Sequence, residues 1–400
     1  MSKKIYLDNA CTSQVDERTF ACAQRYVNLY QNTNKSASDV TRELRSYLTD
    51  ARRTVAEFIG CDSDEIALVQ CTSHAMGIIA NAVPMERGDN VLICDLEYQA
   101  SVACWMTRVK REGIVLREVK SHHGTISPAD FEAAMDEHTR AIVLASVQEI
   151  NGFRADVRAI ARMAHRHGCL LIVDGVQEVG AMQVNVRDYD CDFYCAGAKK
   201  WIGNPFGMGF LYIRRSLAQS LEPMYYSYFN LKTPQRFPDY ISYLEDPSRN
   251  PFDDVYQDAT KFEICAYTNY LGALGLAEAL QVQLDKGQAW IEQRIKSMIR
   301  RLIDGLAQLG IQMCSPTDDQ HMSSIASFNF GFQGGIAKEK ALVEYLQKRN
   351  IYISLRSSTG TGGLRISVHY YNTPEEIDTL VAAIGDYMQQ TGVKQILKEA

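Results

Sequence analysis

Seven short apolar runs, most of them followed by a segment of helical periodicity, dominate the first half of the sequence. They are EIALVQ (65–70), NVLICD (90–95), IVLREV (114–119), AIVLASV (141–147), CLLIVD (169–174), DFYCA (192–196) and GFLYIR (209–214). Strands that are apolar on both faces and alternate with helices are typical of a parallel sheet covered by helices on both sides. We therefore predict an α/β fold with a mostly parallel seven-stranded sheet.

The segments between these runs carry the spacing of amphipathic helices, and Asp39 is suited to be the N-cap of the first. The predicted helices span 39–59, 74–83, 98–112, 128–136 and 156–166.

Beyond about residue 215 this alternation stops. The stretch 222–260 is rich in Tyr, Pro, Asp and Asn, and a helical region over 266–308 follows, interrupted near 285–287. The last hundred residues read as strand, helix, two strands and helix, which is an α+β pattern on a smaller sheet. We predict a large domain over 13–284 and a small C-terminal domain over 285–400, with residues 1–12 packing on the small domain.

Composition excludes several classes of protein. With 46% hydrophobic and 22% charged residues the chain is globular, and its net charge of −6 provides no field that would attract nucleic acid or an anionic membrane. No apolar stretch has the length of a signal peptide or a membrane span. An odd number of cysteines, 11, argues against a disulfide framework. We expect a reduced, cytoplasmic protein that uses most cysteines as small hydrophobes.

Polar residues follow three of the predicted strands, at the edge where open α/β sheets bind ligands. Thr72 and Ser73 open a helix, which suits a phosphate group or a plain N-cap. Asp174 ends an apolar run, so it is either a buried carboxylate facing a cationic partner or a cap of the next turn. Lys199 and Lys200 precede a glycine-rich loop, as reactive amines or as solvated side chains.

Other ligand-binding patterns are missing from the sequence. No glycine-rich dinucleotide or P-loop motif occurs. His165, His167 and Cys169 run from a predicted helix end into a strand and would point apart, so we predict no metal site.

Four segments together resemble one enzyme family. They are Tyr6-Leu7-Asp8-Asn9-Ala10; Asp174-x-x-Gln177; Lys200-Trp201 with 205–212 (PFGMGFLY); and Arg365-x-Ser367-x-x-x-Tyr371-Asn372-Thr373-x-Glu375-Glu376. The chain resembles, over about residues 5–390, the fold-type I pyridoxal-phosphate (PLP) enzymes of the aminotransferase class V family, in the cysteine desulfurase-like branch. The resemblance implies the large cofactor domain and small C-terminal domain of that fold.

The resemblance also implies residues that would bind the cofactor ring. Lys200 should be the Schiff-base lysine, and Asp174 should pair with the pyridinium nitrogen. Gln177 should bond the phenolic oxygen, together with Gln148 or Asn151, where the family's N-x-x-G motif is blurred. Tyr98 stands where many relatives have a ring-stacking His, and could stack or act as an acid–base group.

Further positions are implied for the phosphate and the substrate. Thr72, Ser73 and Lys199 should face the phosphate, while Gly197 replaces a family Ser. A partner subunit should add Thr268 or Tyr267, so the resemblance implies a homodimer with its active site at the interface. The α-carboxylate of an amino-acid substrate should bind Arg365, with Arg356 and Asn9 as further substrate contacts.

Cysteine desulfurases carry a nucleophilic Cys on a loop just before the carboxylate-binding Arg, and the corresponding stretch 356–365 has none. The sequence therefore favours a C–S lyase that cleaves a cysteine derivative by α,β-elimination. A class V aminotransferase, an amino-acid epimerase and a catalytically inactive binding protein remain open. The segments 31–38 and 222–260 are expected to shape the substrate pocket.

Overall fold

The computed structural model describes residues 4–31, 35–227, 230, 255–263, 268–331, 336–358 and 360–395. The strands are β1 (Ile5–Tyr6), β2 (Ile66–Val69), β3 (Asn90–Cys94), β4 (Val115–Val119), β5 (Thr139–Ala145), β6 (Leu170–Asp174), β7 (Phe193–Gly197), β8 (Gly209–Ile213), β9 (Ile325–Phe328), β10 (Ile351–Tyr352), β11 (Ser354–Ser358) and β12 (Thr361–Ser367). The helices are α1 (Glu17–Gln31), α2 (Ala37–Ile59), α3 (Thr72–Ala82), α4 (Gln99–Ala103), α5 (Met106–Glu112), α6 (Pro128–Ala134), α7 (Val157–Arg166), α8 (Val186–Tyr189), α9 (Arg215–Ser220), α10 (Tyr270–Lys286), α11 (Gln288–Gln308), α12 (Ala337–Gln347) and α13 (Pro374–Thr391), with 3-10 turns at Ser63–Glu65 and Ala259–Phe262.

All seven predicted strands join one sheet, in the order β2-β8-β7-β6-β5-β3-β4. Only β8 is antiparallel to its neighbours β2 and β7. The mostly parallel seven-stranded sheet predicted from the apolar runs is therefore confirmed.

Alternate side chains of each strand pack into hydrophobic clusters on opposite faces of the sheet. In β6, Leu171 and Val173 belong to one hydrophobic cluster, while Ile172 belongs to the cluster on the other face. The cysteines within the apolar runs follow the same pattern, and Cys94 and Cys195 are 2% and 0% exposed. Side chains of a strand point alternately to the two faces of the sheet. A strand that is apolar throughout therefore indicates that helices cover the sheet on both sides.

The helix boundaries differ from the predicted ones where local geometry decides them. The first predicted helix begins at Ala37, and its N-cap is Ser36, whose hydroxyl accepts from the Asp39 N–H at 3.2 Å; Asp39 as N-cap was wrong. The predicted helix 98–112 is two helices, α4 and α5. The predicted interruption near 285–287 lies at Gly287, where φ is +86°, a value that glycine adopts without strain.

The N-terminal residues join the C-terminal part of the chain. β1 pairs in parallel with β10, the Leu7 N–H donates to Tyr352 O at 2.9 Å, and Leu7 O accepts from the Ser367 N–H at 2.8 Å. Leu7 is fully buried in a core that α11 and α13 also line. These contacts support our proposal that residues 1–12 belong with a domain starting near 285, close to the start of α11.

Candidate active site

The carboxyl ends of β2, β3, β5, β6 and β7 lie at one edge of the sheet because these strands run in the same direction. The segments that leave this edge carry most of the predicted cofactor residues. Ligands of open α/β sheets bind at this edge, so the fold collects residues that are far apart in sequence.

Lys200 lies in a tight loop just after β7. The Gly203 N–H donates to Lys200 O at 2.9 Å, and Gly203 has a φ of +80°, which favours glycine. The Lys200 Nζ lies 5.6 Å from the centroid of the Tyr98 ring. Burial lowers the pKa of Lys200, while Asp174 opposes that shift. A partly buried lysine with a lowered pKa is more readily the neutral amine that can act as a nucleophile.

Asp174 ends β6 and is 2% exposed. Its Oδ2 accepts from the Ser101 hydroxyl at 3.1 Å, and its Oδ1 accepts from the Val176 N–H at 3.0 Å. Burial raises the pKa of this carboxyl, while both hydrogen bonds and Lys200 counteract the rise. Among the described residues no cation lies within ion-pair distance of Asp174, so this carboxylate can still receive one from a ligand.

Gln177 is held beside the lysine loop. Its Oε1 accepts from the indole Nε1 of Trp201 at 2.8 Å, and its Nε2 donates to Ala10 O at 3.3 Å. An amide nitrogen has two hydrogens, so the second remains available for a ligand oxygen. Trp201 in turn stacks on buried His369, with ring centroids 5.6 Å apart.

The start of α3 adjoins the end of β7. Cys71 is the N-cap and makes no side-chain capping bond, so Thr72 and Ser73 lie inside the first turn rather than capping it. Thr72 Oγ1 accepts from the Gly197 N–H at 2.9 Å, and Ser73 is exposed. Lys199 is also exposed. The first turn leaves helix N–H groups and the Ser73 hydroxyl open to an anion.

Gln148 faces Glu97, which sequence reasoning did not select. Gln148 Nε2 donates to Glu97 Oε1 at 2.8 Å. Within the described part of the chain, Gln148 Oε1 and Glu97 Oε2 are buried and lack hydrogen-bond partners. Asn151 is tied elsewhere, because its Nδ2 donates to Gly124 O at 2.8 Å and its Oδ1 accepts from the Phe153 N–H. We therefore retain Gln148, not Asn151, as the candidate.

Because of Glu97, the free energy of unfolding should fall as the pH rises. Desolvation raises the pKa of Glu97 from its usual 4.5 to about 8, so the folded protein holds a proton that the unfolded chain has released. Stability should therefore drop by up to a few kcal/mol between about pH 5 and about pH 8. Glu97→Gln should flatten this decline, as measured by denaturant unfolding of the cofactor-free protein. Glu118→Gln, at an exposed glutamate of β4, is the control; equal slopes in both variants would contradict the assignment.

Arg365 lies on β12 and is 1% exposed. Its Nε donates to Ser354 Oγ at 3.1 Å, its Nη2 to Asp8 Oδ1 at 3.0 Å, and its Nη1 to Glu149 O and Oε2 at 3.1 and 3.3 Å. Sequence reasoning missed Glu149. The family's N-x-x-G motif offered a signal. If Gly152 is taken as the glycine of that motif, the position of its Asn is occupied by Glu149.

The other two predicted substrate residues are placed differently. Arg356 is exposed, and its Nη1 donates to Leu355 O at 2.8 Å. It lies two residues from Ser354 along β11, hence on the strand face that bears Arg365. Asn9 is fully buried, and its Nδ2 donates to Ser367 O and to Asn372 Oδ1. Both amide hydrogens are thereby used, so we correct Asn9 from a substrate contact to a positioning residue.

Some predicted site residues lie outside the described part of the chain. They are Tyr267, residues 32–34 of the 31–38 segment and most of the 222–260 segment. Thr268 is partly buried and directly precedes Asn269, the N-cap of α10. Its contact with a partner subunit, and the homodimer itself, stay predictions.

The described residues provide neither a metal-binding cluster nor a membrane-spanning helix. They contain no cluster of three or more His, Cys, Asp or Glu side chains that could hold a metal ion. The His165 and His167 rings contact different carboxylates, Asp192 and Glu132. None of the described helices is long and apolar enough to cross a membrane.

Comparison with known proteins finds relatives that are similar in sequence and in fold. The chain is 29% identical to a probable cysteine desulfurase of Methanothermobacter thermautotrophicus, over 94% of this chain and 92% of that protein. Its fold matches a mutant of C-DES with glycine covalently linked to the PLP cofactor, with a TM-score of 0.83, 20% identity and coverage of 96% and 97% of the two chains. It also matches the complex of the cystine C–S lyase C-DES with its product cysteine persulfide, with a TM-score of 0.82, 21% identity and coverage of 96% and 98%.

The match to the family description Aminotransferase class-V spans residues 5–380, which include the lysine loop, Asp174 and Arg365. This chain belongs to the aminotransferase class V family.

Proposed function

We propose that this protein is a PLP-dependent C–S lyase that cleaves a cysteine-derived amino acid by α,β-elimination. The observation that carries the proposal is the partly buried Lys200 amine, whose Nζ lies 5.6 Å from the centroid of the Tyr98 ring and close enough to buried Asp174 for that carboxylate to affect its pKa. A lysine with a lowered pKa, an aromatic ring and a carboxylate without an ion pair form a set that suits a protonated heterocycle bearing an aldehyde.

The residues fit the cofactor at both of its ends. Asp174 would hold the proton on the ring nitrogen, and Tyr98 would stack on the ring. Gln177 and Gln148 would reach the phenolic oxygen, while Thr72, Ser73 and Lys199 would bind the phosphate. Within the described residues, buried Gln148 Oε1 and Glu97 Oε2 lack hydrogen-bond partners, which supports the presence of a polar ligand group beside them. Bound PLP supplies an electron sink for the charge left when a proton leaves Cα.

The protein would position the substrate and move one proton. Arg365 would hold the α-carboxylate and so place Cα near Lys200. The Lys200 amine would then take the Cα proton. Elimination of the β-substituent converts an S-substituted cysteine and water into a thiol, pyruvate and ammonium, so no oxidant is required.

The hairpin of β11 and β12 supports elimination over sulfur transfer to the protein. Residues 354–367, which form it, contain no cysteine. Cys314 contacts the hairpin, but its Sγ donates to Gly362 O at 3.4 Å, and burial raises the pKa of its thiol. A partly buried thiol with a raised pKa is a poor nucleophile. Cys11 is exposed and follows the segment that contacts Arg365 through Asp8.

The test is to incubate the cofactor-loaded protein with cysteine, cystine and S-substituted cysteines and to measure pyruvate, sulfide and alanine. We expect pyruvate and ammonium in equal amounts, both in the wild type and in Cys11→Ser and Cys314→Ser.

Other products would contradict the proposal. Alanine with sulfide, lost in Cys11→Ser, would show a desulfurase with an unusual cysteine. Exchange of the Cα proton without elimination would indicate an epimerase, and a keto acid coupled to amination of a second substrate an aminotransferase. A protein that takes up no PLP would indicate a binding protein without catalysis.

A further inference from the structure

Each of the three nitrogens of the Arg365 guanidinium group already donates to a protein acceptor. Ser354 binds its Nε, Asp8 its Nη2, and Glu149 its Nη1 through both a backbone and a side-chain oxygen. The Arg365 side chain is 1% exposed, so water does not share these contacts. Two carboxylates therefore face one guanidinium, and the ionised cluster carries a formal charge of −1.

A substrate α-carboxylate that reaches Arg365 would be the third carboxylate at one cation. A bidentate pair needs two N–H groups and only one, on Nη2, is left over, so one of the present acceptors must give way, and loss of a carboxylate also relieves the repulsion between like charges. Glu149 is the weaker partner, because its Oε2 lies 3.3 Å from Nη1 whereas Asp8 Oδ1 lies 3.0 Å from Nη2. No other side-chain hydrogen bond holds the Glu149 carboxylate within the described residues, and its backbone carbonyl would keep Arg365 in place after it moved.

A displaced Glu149 would remain in the substrate pocket. Its carboxylate and Arg365 both affect the pKa of Lys200, in opposite directions, so the cluster lies within electrostatic range of the reactive amine. The Glu149 side chain is only 19% exposed. A carboxylate that loses its cation at such a site destabilises the complex unless a new cation arrives.

We propose that Glu149 is a specificity residue that favours α-amino acids with a second ammonium group over those with a neutral side chain. This inference rests on the proposed function. The substrate α-carboxylate takes the place of Glu149 on Arg365, and the released carboxylate binds the distal ammonium. Cystine, in which the second half carries an ammonium group, belongs to this class, as do aminoalkyl thioethers of cysteine.

Two probes of equal size separate charge from shape. S-(2-aminoethyl)-L-cysteine and S-propyl-L-cysteine differ by an ammonium in place of a methyl group. Dissociation constants for the cofactor-loaded protein are measured from the change in its visible absorbance. The wild type should bind the aminoethyl probe at least about tenfold more tightly.

Glu149→Gln should reduce this preference to about twofold or less, by strengthening binding of the propyl probe and weakening binding of the aminoethyl probe. Glu149→Asp keeps the charge and should keep the direction of the preference, which preserves the test if Glu149→Gln folds poorly. Glu137→Gln makes the same change at an exposed position of the α6–β5 connection and should match the wild type.

Equal affinity of the wild type for both probes would overturn the inference. So would an equal loss of affinity for both probes in Glu149→Gln, which would assign Glu149 only to holding Arg365. Thiol release distinguishes the two proposals. A binding preference without thiol release refutes the lyase but not the specificity residue, whereas equal binding with thiol release refutes only the specificity residue.

Discussion

Lys200→Ala should remove the visible absorbance of the lysine-bound cofactor and lower kcat by on the order of 10³-fold or more. The reason is that the Lys200 amine is proposed both to bind the cofactor covalently and to carry the Cα proton. Absorbance spectra and initial rates with an S-substituted cysteine provide the measurement.

The neighbouring lysine is a matched control. Lys199 is exposed, whereas Lys200 is partly buried and its Nζ lies 5.6 Å from the centroid of the Tyr98 ring. Lys199→Ala should keep the visible band and lose only affinity for the cofactor, because it removes one positive charge near the phosphate. If Lys199→Ala lost the band and Lys200→Ala kept it, the roles of the two lysines would be reversed.

Asp174→Asn should leave the protein folded and able to bind the cofactor while lowering kcat on the order of 10²-fold or more. The amide matches the carboxylate in size but has no charge with which to hold a proton on the ring nitrogen. The electron sink is then weaker at the moment when charge develops at Cα. The measurement is kcat and KM, with absorbance as a function of pH.

Ser101→Ala tests whether kcat depends on the charge of Asp174 or on the hydrogen bond that Ser101 donates to it. The Ser101 hydroxyl donates to Asp174 Oδ2 at 3.1 Å, and its loss should cost about 1 kcal/mol, which corresponds to less than about tenfold in rate. A rate loss in Ser101→Ala as large as that in Asp174→Asn would show that geometry rather than charge controls the step. Full activity of Asp174→Asn would remove Asp174 from the proposed mechanism.

The predictions that the structure confirms depend on local patterns. A strand buried on both faces must be apolar throughout, and for this reason the runs around Ile172 and Leu211 located β6 and β8 to within a residue or two. The helix starts were less accurate. Capping depends on a single side-chain bond, and Ser36 rather than Asp39 makes it.

The contacts within the site that the sequence did not reveal join residues that are far apart in the chain. Ser101 meets Asp174 because α4, which follows β3, reaches the end of β6, although β5 lies between these two strands in the sheet. Glu149 meets Arg365 across 216 positions, and Asn9 meets Asn372 across 363. No spacing rule within one segment encodes such contacts.

The sequence by itself determined the central sheet, its strand ends and the family motifs, because periodicity and short motifs are properties of neighbouring residues. Only the tertiary structure decided which hydrogen-bond partner each polar side chain of the site has. It assigned Asn9 to the joint between the N-terminal strand and the C-terminal segment, and it placed Glu149 on the arginine that should bind the substrate. These assignments depend on which buried donors and acceptors find one another, because a buried polar group without a partner is costly and each group can satisfy only a few.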